Sequence, residues 1–174
     1  MADPTHLEQL QQGVDSWNAW RRTDVREILD LSGADLAGSD LSGVNFGAVF
    51  LADADLSGAR LAHANLVGAE MAGANLQGAD LTHALARFVD MSRVNLQDAN
   101  LERANLVEAD LRGANLRGAN LQLADLSKAN LQEADLSGAN VSSVSFVQAN
   151  LTRAILHNAI MDSAILPDGT LYEA

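Results

Sequence analysis

Gly33-Ala34-Asp35-Leu36, Gly73-Ala74-Asn75-Leu76 and Gly118-Ala119-Asn120-Leu121 are instances of one five-residue phrase. Counting outward from them, a Leu, Phe, Met or Val falls at nearly every fifth position from Leu31 to Leu171, with Ala86 the weak member. A helix turns about 100° per residue, so a five-residue repeat would precess by about 140° each time and never build a buried stripe. A strand alternates its faces, so in Ala-Asn-Leu the Ala and Leu share one side and the Asn takes the other. The next two residues must then turn the chain. Glycines at 33, 38, 43, 58, 68, 73, 78, 113, 118 and 138 hold that place, where a tight corner favours positive φ.

Each pentad is thus one short edge and one corner, and four near-right-angle corners close a square after twenty residues. Successive squares stack at about 4.8 Å, the spacing of hydrogen-bonded strands. Leu and Ala share the inside because so narrow a tube cannot hold two large side chains per edge. Burying each Leu is worth roughly 1.5–3 kcal/mol, against ordering at about 1–2 kcal/mol per residue, so stability must come from the stack.

The A(D/N)LxG pattern resembles the pentapeptide-repeat family over about four-fifths of the chain. The resemblance implies an all-β solenoid, a right-handed quadrilateral parallel β-helix, here of about seven coils with a short N-terminal α-helical cap. The hand comes from the resemblance alone. The expected divisions are a cap at 1–28, the β-helix at 29–166 and a tail at 167–174 closing the last coil. A hexapeptide-repeat acyltransferase would need a period of six and fails on the count.

Residues 5–22 have the character of a helical lid over the first open edge. Thr5 and Glu8 fit a capping box, and Leu10, Val14, Trp17 and Trp20 follow helical spacing as its packing face. The 13–21 segment resembles the helical lead-in before many domains of the family. At the other end, outward slots that elsewhere carry mostly Asp or Asn become Ile155, Ile160 and Ile165. Such an apolar belt points to a protein partner or to a homodimer through one end of the rod. Midway, Leu85 takes an outward slot between Asn65 and Asn105, and Phe88 takes a corner slot between Gly68 and Glu108. A bulge turning Leu85 or Phe88 inward to fill the space beside Ala86 is the expected arrangement. Phe50, in another outward slot, joins them as a candidate interface residue.

Chemistry is sparse. The chain has 174 residues, no cysteine and a formal net charge of -12, which disfavours direct binding to nucleic acid or anionic lipid. No basic-then-apolar leader or long apolar run appears, so a cytoplasmic protein off the membrane is expected. His63 and His83 fall at equivalent corners of adjacent coils but lack a third metal ligand, with Arg103 next in the column. Stacked acids such as Asp35 over Asp55 or Asp90 over Asp110 sit on a convex wall, without the cleft that acid–base catalysis needs. Neither catalytic residue, cofactor nor metal is expected.

The acidity invites comparison with the family's quinolone-resistance group, which resembles duplex DNA and binds DNA gyrase in its place. Residues 30–85 hold seven acids against Arg60 alone. Yet ten of the chain's 23 acids occupy the slot where the repeat itself asks for Asp or Asn. The reading is therefore a bacterial, non-enzymatic, rigid protein-interaction scaffold, with the gyrase-directed DNA mimic as its alternative.

Overall fold

The computed structural model describes residues 1–23 and 28–173. From Asp30↔Phe50 to Ser145↔Ile165 every outward residue pairs in parallel with the one twenty positions on. The result is a right-handed quadrilateral β-helix of about seven coils. Each coil passes two kinds of bond to the next: Leu36 N donates to Asp55 O at 2.7 Å, and Asp55 N donates back to Ala34 O at 2.9 Å. At the corners Ala34 N donates to Leu31 O at 3.0 Å, closing a four-residue turn whose third residue, Gly33, has φ 68°. The left-handed corner recurs where no glycine stands, for example at His63, Phe88 and Glu108. The ladder thus imposes positive φ on residues that would not choose it.

The core is a single column of Leu, Met, Phe, Val and Ala from Leu29 to Phe146. Ala86 is buried within it, and the expected bulge is absent. Leu85 stays in register with Asn65 and Asn105 and lies half exposed, as does Phe88. Turning Leu85 inward would break Leu85 N to Ala64 O (2.9 Å) and Leu66 N to Leu85 O (2.7 Å) toward the coil before, and turning Phe88 inward would break Phe88 N to Val107 O (3.1 Å) toward the coil after. It is also unnecessary, because fully buried Val89 takes the next inward slot, where most pentads carry Ala.

The expected helical lid is present and consists of two helices. Helix α1 (Pro4–Gln11) and helix α2 (Val14–Arg21) are separated at Gly13, whose φ of 100° no helix accommodates. The Thr5–Glu8 capping box does not form; Asp3 is the N-cap, accepting the Thr5 N–H at 2.8 Å, with Pro4 at the first helical position. The stretch 24–27 of the expected cap lies outside the described residues, as does Ala174 of the expected tail. Within the tail, Leu171 forms an antiparallel bridge with Ile165.

Candidate protein-docking surfaces

The two ends of the rod are finished differently. At the N-terminal end, cap groups stand in for a missing strand. The Trp17 indole Nε1 donates to Asn45 O at 2.8 Å, and Asn45 N donates to the Asn18 amide Oδ1 at 2.8 Å. Asn18 Nδ2 donates to Gly43 O (3.0 Å) and Arg21 Nη2 to Gly47 O (2.5 Å). On the next face, Asp3 N donates to Asp30 O, while Asp30 N donates to His6 Nδ1. Trp17 is fully buried against Phe46, ring centroids 5.6 Å apart, with Trp20 at 5.3 Å on its other side. Leu10 is buried, and Val14 and Trp20 are partly buried against the same core.

At the C-terminal end, Leu151, Leu156 and Met161 of the final coil are only partly buried. Outside them Ile155 is 51% exposed and Ile160 50%, while Ile165 is half covered by its pairing with Leu171. Among the described residues, the N–H groups of Leu151, Leu156 and Met161 and the C=O groups of Ala154 and Ala159 have no ladder partner. An apolar interior and a polar backbone edge are therefore open together.

A second apolar patch lies midway. Leu85 is 50% exposed and Phe88 51%, and the Arg87 guanidinium sits 5.1 Å from the Phe88 ring centroid. Val67, 37% exposed, stands at the same corner one coil earlier and extends the patch. The twenty-residue stacking rule places Val67 directly below Arg87, which was signal enough to include it. Phe50 is half-buried, bridged to Asp30 and Glu70, and lies apart from this cluster.

Carboxylates in the outward slots mostly serve the turns. Asp30, Asp40, Asp55 and Asp135 each accept the backbone N–H of the serine two residues on. Ser32, Ser42 and Ser137 hydroxyls hold Asp30, Asp40 and Asp135 below the usual carboxylate range, and the Ser57 N–H does the same for Asp55. Asn columns perform the same service and add a ladder, Asn95 to Asn75 and Asn115 to Asn95, both 2.9 Å. His63 and His83 stack face to face, centroids 5.0 Å apart and planes at 4°. Parallel rings cannot aim in-plane lone pairs at one ion, and no group of three metal-binding side chains occurs among the described residues. An open groove is lined by Ser92, Arg93, Arg112, Gly113, Gln132 and Glu133. Arg112 there is already paired with Asp110 at 2.5 Å.

The sequence matches the pattern described as Pentapeptide repeats in eight copies, over residues 30–49, 51–85, 90–127 and 129–166. The chain belongs to the pentapeptide-repeat family. Several solved pentapeptide-repeat structures are similar to it. One, from the thylakoid lumen of Arabidopsis thaliana, is 29% identical over 63% of this chain and 69% of its own, with a TM-score of 0.47. HetL, from the cyanobacterium Nostoc and involved in heterocyst differentiation regulation, is 24% identical over 99% of this chain and all of its own (100%), TM-score 0.38. QnrB1, a plasmid-mediated fluoroquinolone resistance protein, is 17% identical over 79% and 84%, TM-score 0.51, a likeness of fold alone. No curated protein sequence matches the chain. Among the described residues no helix of this pentapeptide-repeat protein is long and apolar enough to cross a membrane.

Proposed function

We propose that this pentapeptide-repeat protein is a non-enzymatic rigid scaffold that engages a protein partner through its C-terminal end. The observation that carries the reading is the exposed pair Ile155 and Ile160 beside a coil whose edge is open. Apolar β-branched side chains in solvent-facing slots add nothing to the turns that Asp and Asn serve elsewhere, so an interface accounts for them. Preformed faces bind with little ordering cost. Leu85 and Phe88 form a second docking patch, and Phe50 a lesser one.

Immobilised wild-type protein and an Ile160→Asp variant, compared for retention of partners from native lysate, test the assignment. The variant is expected to keep the β-helix circular-dichroism spectrum and lose a retained protein. Equal retention would remove the belt as an interface. The gyrase-directed alternative draws on the acidic half of the rod, whose carboxylates are largely engaged by their own turns. A supercoiling assay with purified gyrase, with and without quinolone, separates the two readings.

A further inference from the structure

The acidity of the rod is not spread evenly round it. All seven carboxylates of residues 30–85 fall at 30–40, 50–60 or 70–80. The alternate stretches 41–49, 61–69 and 81–89 contain no Asp or Glu, and their one formal charge is Arg87. The twenty-residue register stacks these stretches, pairing Asn45, Asn65 and Leu85 in parallel. Over these coils three sides of the rod are therefore acidic, and the fourth carries no acid at all.

That fourth side also exposes the large apolar groups. Leu85 stands at the centre of the face, stacked His63 and His83 form one corner, and Val67, Arg87 and Phe88 form the other. Among the described residues Arg87 pairs with no carboxylate, unlike Arg60, Arg103, Arg112, Arg117 and Arg153. The face is bounded along the axis. Toward the N-terminal end Trp17, Asn18 and Arg21 of α2 bond to Asn45, Gly43 and Gly47. Toward the other end paired charges return, Arg103 with Glu102 and Lys128 with Glu108, both at 3.7 Å.

The size of the face limits what can lie on it. His63 and Val67 are four residues apart, at most about 13 Å, and three strands span about 10 Å along the axis. Such a face suits a single helix or strand, a helix being about 10–12 Å thick, and falls short of the roughly 800 Å² that a globular partner covers. Charge then decides the kind of segment. A basic one is drawn to the three acidic sides. An acidic one is repelled there and meets here an unpaired guanidinium and two imidazoles, each with at least one N–H donor.

We propose that this acid-free face docks an acidic, apolar segment of a partner protein, with Leu85 and Phe88 as its anchor and Arg87 paired to its carboxylate. This rests on the reading of Leu85 and Phe88 as a docking patch and names the occupant. Leu85 and the Phe88 ring shield the Arg87 pair from water, the setting in which an interfacial arginine contributes most.

The immobilised full chain, panned with a display library of random linear peptides, tests the proposal. Selected peptides are expected to combine Asp or Glu with Leu, Ile or Phe. By fluorescence anisotropy Leu85→Asp and Arg87→Glu each weaken them at least about tenfold, with the circular-dichroism spectrum unchanged. Arg87→Glu regains peptides whose acids are replaced by Lys. Ile160→Asp, at the far end, leaves binding within about twofold. Selection of basic peptides, selection of none, or binding that ignores either substitution on this face would overturn the inference. Loss with Leu85→Asp alone leaves the docking patch standing with a different occupant. If the peptides fail while Ile160→Asp still loses a lysate partner, this face is wrong and the C-terminal interface stands.

Discussion

Phe88 combines a φ of 59° with a side chain about half exposed, which is an expensive way to turn a corner. A bulky residue in the left-handed region costs about 1–2 kcal/mol, and an exposed ring recovers little of it by burial. The next residue down its column is Gly68, with φ 65°, so the corner itself asks only for glycine. Phe88→Gly relieves the strain but adds unfolded-chain entropy of about 0.5–1 kcal/mol. The net expectation is stability unchanged or raised by up to about 1 kcal/mol, read by thermal denaturation. A loss above about 2 kcal/mol would show that the ring packs into the fold and is no free docking group. His63 and His83 share the strained corner geometry, yet their stacking gives the rings a partner that Phe88 finds only in Arg87.

At the scale of an element, the cap is a set of side chains imitating a strand. Asn18 does this most completely, accepting from Asn45 N and donating to Gly43 O with one amide. Asn18→Leu keeps the size but leaves both backbone groups unpaired, at a cost of about 1–3 kcal/mol. Because each coil touches only its neighbours, the damage stays local. Amide hydrogen exchange is expected to accelerate at residues 31–50 and to stay as in the wild type beyond residue 110. Uniform acceleration along the rod would refute the local picture. The cap was legible as helical from Leu10, Val14, Trp17 and Trp20, but its break was not. Gly13 fits a helix pattern in sequence, and only the need to lay α1 over Asp30 and α2 over Asn45 fixes its φ at 100°. The twenty-residue register, by contrast, was fully legible, since a ladder with both bonds passing between coils leaves no freedom to slip. That same rigidity is why the inward turn expected of Leu85 or Phe88 fails. Reading Ala86 alone missed Val89 three residues on, which restores the volume without a change of register. The isoleucine belt could be read from slot identity, whereas the open backbone edge beside it needed the hydrogen bonds of the tail.

For the whole molecule the question is what a net charge of -12 is for. Asp30, Asp40, Asp55 and Asp135 are held below their ordinary range chiefly by serines of their own turns. A carboxylate whose folded pKa is depressed stabilises the fold above its unfolded value, about 3.9, and that contribution is lost as pH falls through the folded value. The turns should therefore weaken below about pH 4, so the melting temperature holds steady from neutral pH toward pH 5 and then drops. Asn offers the same acceptor oxygen without titrating, and Asn45, Asn65 and Asn75 already perform this task here. Replacing the four aspartates by asparagine, which takes the net charge from -12 to -8, is expected to leave the neutral melting temperature within about 2 °C and flatten the acid limb. An acid limb as steep as in the wild type would place the sensitivity elsewhere, at the Arg112–Asp110 pair first. The same variant bears on docking, because it thins the negative field while leaving the C-terminal isoleucines untouched. If the end coil is the interface, this variant retains the same lysate partners as the wild type at neutral pH. If the charged wall is what partners read, binding falls with the four charges.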